Sequence, residues 1–258
     1  MKYSVLTYII GNYEVVREIE FNTLSTPDVE YLLVTDNKDL KSDTWKVIYD
    51  QDLDNPNLTP FDRTFMVRYN LFKYAKNDIC VRFDHSYKLR QPLDTLVEKF
   101  ELGKYDACLN IHVGRNNILE EYYAWVEYRN FDPNEALKHI LLLNLLFKYD
   151  FNIKGLYEQS FSINRRNEWT STIDKDMLYY LKVFNLDNKH ITRLDQTIFS
   201  AYINTFQHNK KYMFVDNYAL TKKLFDRYQH GLNGRKYKSS PSLIEPYFNN
   251  ELIDIIDI

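Results

Sequence analysis

The chain has 258 residues, enough for one large α/β domain or for a core domain with a small appendage. Hydrophobic residues make up 45% of it and charged residues 27%, which is ordinary for a soluble globular protein that buries a core. The formal net charge of −3 excludes a global basic field that would attract nucleic acid or anionic lipid. Cys80 and Cys108 lie in apolar runs and are typical of buried thiols in a reducing compartment.

The spacing of apolar residues predicts strands and helices that alternate along the chain. Strands are predicted over 3–10, 30–37, 45–51, 78–84, 105–113, 156–167 and 211–217, and helices over 60–75, 92–103, 118–130, 133–150, 171–185 and 193–206. This alternation is typical of an α/β fold of the Rossmann-like kind, with a mixed, mostly parallel central sheet flanked by helices. We expect a single domain over residues 1–240 and a tail over 241–258, with a short helix, docked on the core.

Two apolar stretches raise the question of a membrane segment. The N-terminal run "MKYSVLTYIIGNYE" is too short for a span and is not followed by a small-residue cleavage site. The stretch 136–149 is interrupted by Lys138, His139 and Asn144, which indicates a buried helix. The sequence therefore predicts a cytoplasmic protein without a transmembrane segment.

The strand at 78–84 ends on Asp84, followed by His85 and Ser86. A carboxylate at a strand end can hold a divalent cation, and the cation can hold a diphosphate. Ser86 stands where an Asp-x-Asp motif has its second acid, and a hydroxyl is a poorer ligand. The same residues would also form an ordinary turn that caps the next segment, and this alternative stays open.

A basic loop over 227–240 contains "HGLNGRK", with His230 at its start. Glycines let a backbone approach a phosphate closely, and Arg235 and Lys236 can neutralise it. Histidine is a common metal ligand. The alternative interpretation of this stretch is a flexible basic loop without a ligand.

Two helices carry further candidates. "RLDQTIF" places Asp195 and Gln196 near a helix start, where they either cap the helix or bind sugar hydroxyls. Arg63 and Arg68 lie five residues apart on the helix over 60–75, so they do not share one tight face. Either arginine could pair with a nearby acid such as Asp84, although most such arginines are solvated.

The order of these motifs resembles the GT-A-fold, nucleotide-sugar-dependent glycosyltransferases. The stretches that carry the resemblance are "YLLVTDNKDLKSDTWKVI", "RYNLFKYAKNDICVRFDHSYKL" and "RLDQTIFSAYI". Within these enzymes the chain looks most like the hexosyltransferase-like group, formerly described as a domain of unknown function. The Asp-Gln helix and "HGLNGRK" are also similar to the glycogenin-like retaining enzymes. The resemblance covers roughly residues 3–236 and departs from the family pattern at Ser86.

The resemblance implies a hexosyl- or pentosyltransferase that moves a sugar from a UDP- or GDP-sugar to an acceptor hydroxyl. The acceptor expected by default is a capsule or lipopolysaccharide glycan, and the expected cofactor is Mn²⁺ or Mg²⁺. The implied roles are nucleobase or ribose contact for Thr35 and Asp36, donor contact for Arg63 and Arg68, metal binding for Asp84 and His230, ribose or metal contact for Ser86, diphosphate binding for Lys236, and contact with the reacting sugar for Asp195 and Gln196.

Three alternatives stay open at the level of sequence. The first is a degenerate transferase fold that binds a nucleotide or a glycan without turnover, which Ser86 favours. The second is a nucleotidyltransferase, although that chemistry usually requires two or three neighbouring acids. The third is a transferase for modified bases of phage DNA, which the net charge disfavours, although four arginines could form a local basic patch: Arg115, Arg129, Arg165 and Arg166.

Overall fold

A computed structural model of the chain describes residues 2–11, 13–22, 28–112, 114–184, 195–229, 236, 247–248, 251–252 and 256. Its strands are β1 (Tyr3–Ile9), β2 (Val29–Thr35), β3 (Lys46–Tyr49), β4 (Ile79–Phe83), β5 (Tyr87–Leu89), β6 (Ala107–Ile111), β7 (Tyr157–Arg165), β8 (Tyr212–Asp216), β9 (Phe225–Arg227), β10 (Tyr247–Phe248) and β11 (Glu251–Leu252). Its helices are α1 (Pro60–Arg68), α2 (Leu71–Tyr74), α3 (Asp94–Leu102), α4 (Ile118–Arg129), α5 (Pro133–Phe147), α6 (Glu168–Phe184), α7 (Asp195–Phe206) and α8 (Asn217–Lys223).

Among the described strands, seven form one sheet in the order β3-β2-β1-β4-β7-β6-β8. All neighbours are parallel except β7, which runs antiparallel to both β4 and β6. The prediction of a mixed, mostly parallel α/β sheet is therefore confirmed. Because β1, β2 and β4 run the same way, their carboxyl ends meet at one edge of the sheet, and the amino end of β7 reaches that same edge.

Side chains alternate between the two faces of the sheet along each strand. On β4, Val81 and Phe83 join a core layer that also contains residues of α3 and α8. Cys80 faces the opposite layer, beside α1 and α2. Arg82 shares the face of Cys80, which places a charged side chain inside the protein. Both faces of the sheet are thus covered, which explains why its strands are long apolar runs.

The helix predicted over 60–75 is divided into α1 and α2. Thr59 and Asp62 form a reciprocal capping box at the start of α1. At its end, the Asn70 side-chain amide donates to the Met66 carbonyl at 2.9 Å, satisfying one of the carbonyls that a helix end leaves open. The break leaves Arg68 as the last residue of α1.

The C-terminal part differs most from the prediction. β9 falls at the start of the predicted basic loop and pairs antiparallel with β5. β10 and β11 also pair antiparallel, so these residues of the tail are strands and not the predicted helix. Farther along the tail, the Ile256 amide donates to the Phe214 carbonyl at 3.0 Å. Strands of two or three residues are too short for a hydrophobic period to indicate them.

The α5 helix has the buried face that its sequence predicts, with His139, Leu143 and Phe147 in the core. Within the described residues, no helix combines the length and the apolar character needed to cross a bilayer. The His139 ring lies among Tyr122, Phe131 and Phe184, and burial lowers its pKa to about 4.

The free energy of unfolding is expected to fall as the pH drops from about 6.5 to about 4, because the unfolded state binds a proton that folded His139 does not bind. The contribution of neutral, buried His139 to stability is fully present above about pH 6.5, the pKa of histidine in the unfolded chain. The free energy of unfolding of the His139→Leu variant, taken relative to that of wild type, should be about 1–2 kcal/mol higher at pH 5 than at pH 8. Urea unfolding at both pH values measures this change. The exposed His208→Leu variant is the control, and a His139→Leu curve parallel to wild type would contradict the prediction.

Candidate active site

The carboxyl edge of the sheet brings together four polar side chains from four elements. Arg68 Nη2 lies 3.1 Å from Asp84 Oδ1 and donates to the Tyr8 hydroxyl at 2.8 Å. Arg68 Nη1 contacts Asp195 Oδ2, and the Tyr8 hydroxyl donates to Asp84. Tyr8 comes from β1, Arg68 ends α1, Asp84 follows β4 and Asp195 begins α7. We call Tyr8, Arg68, Asp84 and Asp195 the Arg68 cluster.

Burial sets the electrostatics of the Arg68 cluster. Burial opposes the charge on Arg68, but the interactions with Tyr8, Asp195 and Asp84 outweigh it and raise its pKa well above its usual value. Burial also raises the pKa of Asp195, against the opposing effect of Arg68. Arg68 is therefore a fixed cation at any physiological pH. Its guanidinium is held by charged partners instead of water, so its direction is set by the fold.

A second arginine lies beside the cluster. Arg82 is 1% exposed, donates to the Gln159 backbone carbonyl, and has its Nη1 3.5 Å from Asp84 Oδ1. It also lines a cavity of about 30 Å³ together with Asp174. Burial raises the pKa of Asp174 to about 7, although Arg82 lowers it. The Asp84 carboxylate thus lies between two guanidinium groups.

Two larger cavities open at the Arg68 cluster. The apolar cavity has a volume of about 600 Å³ and is lined by aromatic and apolar residues that include Tyr8, Gly11, Tyr13, Phe61 and Phe65. The polar cavity has a volume of about 440 Å³ and is lined by residues that include His112, Arg115, Tyr128, Glu158, Gln196 and Arg227. Both cavities are lined by Arg68, Asp84, Trp125 and Asp195. Molecules in the two cavities would therefore contact the same charged groups.

Two acids, one buried and one half-buried, line the polar cavity. Glu121 is 1% exposed, and its carboxylate contacts Arg115 Nε at 2.5 Å, Trp125 Nε1 at 2.7 Å and the Gln196 amide. Burial raises the pKa of Glu121, although Arg115 lowers it. The second acid, Glu158, accepts from the Ser160 hydroxyl at 3.1 Å and from the Asn217 amide. It also faces His112 Nε2 at 3.7 Å and Arg227 Nη2 at 3.9 Å. The wall therefore presents alternating carboxylates, amides and cations.

The end of β2 lies beside the apolar cavity. The Gly11 amide donates to the two oxygens of Asp36 at 2.9 and 3.1 Å, and Arg63 Nη1 lies 2.7 Å from Asp36 Oδ2. Gly11 has φ +65°, a left-handed backbone that glycine adopts without strain. Thr35 is buried, and its hydroxyl accepts from the Asn37 amide at 3.1 Å. Asp36 and Arg63 therefore lie beside Gly11, which lines the apolar cavity, and the donor-binding roles of Thr35, Asp36, Arg63 and Arg68 stay predictions.

The remaining predicted residues lie apart from both cavities or outside the described residues. Ser86 is buried, and its backbone carbonyl accepts from the Tyr228 amide at 2.7 Å. Lys236 Nζ pairs with Asp226 Oδ1 at 2.6 Å. His230 is outside the described residues. The roles proposed for Ser86, Lys236 and His230 therefore stay predictions.

His85, next to Asp84 in the chain, has a structural role. Its Nε2 accepts from the Arg17 amide at 2.8 Å, so the neutral ring carries its proton on Nδ1, which faces the Thr7 hydroxyl at 3.3 Å. Burial, together with the nearby charge of Arg17, lowers the pKa of His85 to about 4. The residue between Asp84 and Ser86 therefore ties the strand end to the segment around Arg17.

The described arginines of the predicted basic patch, Arg115, Arg165 and Arg166, do not lie together. Arg115 lines the polar cavity. Arg165 pairs with Ile79 at the start of β4, and the Arg166 amide donates to the Asp78 carbonyl, so both lie at the opposite edge of the sheet. The side chain of Arg129 is outside the described part of the structure.

A divalent cation at Asp84 is implied by the resemblance of the sequence. Asp84 Oδ1 is contacted by Tyr8, Arg68 and Arg82. In the described part of the chain, no three His, Cys, Asp or Glu side chains are grouped so that they could hold a metal ion. The described residues around Asp84 do not fit a metal centre on their own. Metal binding by Asp84 together with His230 stays a prediction.

Sequence reasoning missed four residues of this site: Tyr8, Arg82, Glu121 and Glu158. Arg82 interrupts an apolar strand, and a buried charge requires a partner, so it could have been singled out from the sequence. Glu158 lies in a strand with several other polar residues, which do not set it apart. No feature of the sequence singles out Tyr8 or Glu121, because tyrosines and glutamates are frequent throughout the chain.

Comparison with known proteins gives a resemblance of fold. No protein-family model matches the chain, and no curated protein matches it. Mouse xyloside xylosyltransferase 1, in its apo form, superposes with a TM-score of 0.46 at 9% identity over 84% of this chain and 86% of that chain. The glycosyltransferase GlyE of Streptococcus pneumoniae TIGR4 superposes with a TM-score of 0.46 at 10% identity over 86% of this chain and 46% of that chain.

Proposed function

We propose that this chain is a GT-A-like glycosyltransferase that transfers a sugar from a nucleoside diphosphate sugar to an acceptor hydroxyl. The observation that carries the proposal is the pair of cavities that share Arg68, Asp84, Trp125 and Asp195. A two-substrate transfer needs a place where donor and acceptor meet beside groups that stabilise charge. The carboxyl edge of an open α/β sheet is also where such ligands bind.

The apolar cavity suits the nucleotide part of the donor. Aromatic rings at Tyr13 and Phe61 offer stacking surfaces for a base, and Gly11 lets the backbone approach closely. Asp36 lies beside Gly11 and would contact the ribose, with Arg63 fixing its direction. A diphosphate extending from this cavity would reach Arg68. The donor therefore enters with its sugar at the Arg68 cluster.

The polar cavity suits a glycan acceptor. Sugar hydroxyls both donate and accept hydrogen bonds, and the wall of Glu158, Gln196 and Arg227 offers partners of both kinds. Tyr128 and Trp125 add aromatic faces against which a sugar ring can pack. A glycan of the bacterial surface, such as capsule or lipopolysaccharide, is the acceptor we propose.

The reaction breaks the bond between the anomeric carbon and the diphosphate oxygen, and the electron pair leaves with the nucleoside diphosphate. The acceptor oxygen forms the new bond to the anomeric carbon, and its proton passes to the leaving diphosphate or to solvent. The transition state is oxocarbenium-like, as in sugar transfer generally. Asp195 would balance the positive charge on the sugar, while Arg68 would balance the negative charge on the leaving group.

Thermal unfolding of the protein against UDP- and GDP-sugars tests the proposal, because a ligand that binds the native state raises its stability. We expect one donor to raise the melting temperature and then to release a nucleoside diphosphate when glycan acceptors are supplied. Release of pyrophosphate instead would indicate a nucleotidyltransferase. Binding without turnover across an acceptor panel would replace the proposed enzyme with a nucleotide- or glycan-binding protein.

The Tyr128→Ala variant is expected to raise the KM for the acceptor about 5- to 10-fold and to leave slow donor hydrolysis unchanged. Tyr128 is 72% exposed, so its removal costs contact with the acceptor and little stability. Initial rates over a range of acceptor concentrations measure the change. The exposed Tyr179→Ala on α6 is the matched control, and an equal effect of both variants would contradict an acceptor in the polar cavity.

A further inference from the structure

We propose that Arg68, oriented by Asp84 and Asp195, supplies the positive charge that stabilises the leaving diphosphate, so that transfer needs no divalent cation. The inference rests on the proposed function and deepens it. It assigns to a guanidinium the role that the resemblance of the sequence gives to Mn²⁺ or Mg²⁺.

The position of Arg68 supports this assignment. Its side chain lines both cavities, so it lies where the departing diphosphate and the incoming acceptor meet. Its Nη1 and Nη2 make three hydrogen bonds, to the two carboxylates and to Tyr8, while its Nε is buried and has no hydrogen-bond partner among the described residues. A guanidinium has five N–H donors in a fixed fork and binds phosphate oxygens in pairs. Arg68 therefore keeps donor capacity in an orientation fixed by its acidic partners.

The charges around Asp84 disfavour a metal ion at the same place. Arg68 and Arg82 both approach Asp84 Oδ1, at 3.1 and 3.5 Å. Like charges repel more strongly the closer they lie. A divalent cation bound to Asp84 Oδ1 would lie close to both guanidinium groups and be repelled by each of them. The guanidiniums already neutralise the two acids of the cluster, so Asp84 has little remaining charge to offer a metal.

The electron balance of the step needs no further reactant. The carbon–oxygen bond to the diphosphate breaks, the electron pair moves onto the phosphate oxygen, and the N–H groups of Arg68 stabilise the negative charge there. Arg82 does not line either of the two larger cavities. It is a positioning residue that helps to hold the Asp84 carboxylate.

The wild-type protein tests the inference without any substitution. We expect transfer in the presence of EDTA to stay within about twofold of the rate with added Mn²⁺ or Mg²⁺, because no metal acts in the step. Mn²⁺ electron paramagnetic resonance gives a readout that is independent of activity. The protein with UDP or GDP should bind no more Mn²⁺ than the free nucleotide binds alone. Loss of transfer in EDTA with recovery in Mn²⁺, or Mn²⁺ bound by the protein, would overturn the inference.

Two variants test the arginine itself. Arg68→Gln should reduce transfer about 100-fold or more, because it removes the cation next to the leaving group. Arg68→Lys keeps the charge and should recover part of the loss, still without a metal requirement. Arg166→Gln, at the opposite edge of the sheet, is the matched control. Calorimetry with UDP, GDP and inorganic pyrophosphate, all in EDTA, should show weaker diphosphate binding by Arg68→Gln than by wild type.

The outcomes separate this inference from the proposed function. Metal-free binding of a nucleoside diphosphate that depends on Arg68, with no transfer from any donor, supports the arginine site and contradicts the enzyme. Metal-dependent transfer supports the enzyme and contradicts the arginine site. No binding of any of the three diphosphate probes to the wild-type protein in EDTA contradicts the inference.

Discussion

Replacing Asp195 with asparagine is expected to reduce the turnover number of sugar transfer by about 100- to 1,000-fold. Asp195 lines both cavities and pairs with Arg68, so it is the acid best placed to balance the positive charge that develops on the sugar. Asparagine has nearly the same shape but no charge. The substitution therefore removes electrostatic stabilisation of the transition state and one of the two acids that hold Arg68.

Steady-state rates with saturating donor measure the effect, and thermal unfolding shows whether the variant is folded. Asp132→Asn is the matched control, because Asp132 caps the start of α5 away from both cavities and asparagine is an equally good cap. A drop in turnover for Asp195→Asn alone supports the role of this acid at the reacting sugar. Wild-type turnover in a folded Asp195→Asn protein would remove Asp195 from the mechanism.

The Phe225→Ala variant is expected to lower the free energy of unfolding by about 3–5 kcal/mol. Phe225 is 0% exposed, and its ring centroid lies 4.8 Å from that of Phe83, 5.5 Å from Tyr87 and 5.9 Å from Phe161. These rings come from β4, β5 and β7, so Phe225 fills a space where three strands meet. Alanine would leave a cavity that the surrounding aromatic residues cannot close.

Urea or guanidinium unfolding measures this loss. Leu145→Ala provides the control, because Leu145 is 75% exposed on α5 and its truncation should change stability by no more than about 0.5 kcal/mol. A loss for Phe225→Ala as small as that for the control would mean that β9 does not pack on the core in solution. Arg227, the last residue of β9, would then not be held in the wall of the polar cavity.

Most of the sheet could be predicted from the sequence because β1, β2, β4, β6 and β8 are largely apolar runs of five or more residues, and such a run is a local property. The candidate functional residues Asp36 and Asp84 could be predicted because each is a polar residue directly after an apolar strand. β5 and β9 could not be predicted, because three residues do not establish a period. Pairing them requires knowing that chain segments about 140 residues apart are neighbours.

The sequence indicates which residues could form the site, but it does not indicate how they contact one another. Arg68, Asp84 and Asp195 were each singled out by residue type and by position at an element end. Their mutual contacts join positions up to 127 residues apart in the chain, which no local pattern records. The surroundings of Asp84 differ most from expectation, because Arg82 was visible in the strand but its approach to Asp84 depends on the side-chain packing of the folded sheet.

The span between Arg68 and Asp195 also bears on how the protein is made. During synthesis a chain folds from its amino terminus, and contacts between distant positions form late because their loop is long. β1, β2 and β4 can pair as soon as the first 83 residues have emerged. Once Asp84 follows, Arg68 can meet it but has no partner on α7, and the polar cavity lacks the walls that β7 and α7 supply. The apolar cavity also lacks Trp125 and Asp195 at that stage, so both cavities would be completed together, when α7 joins the sheet.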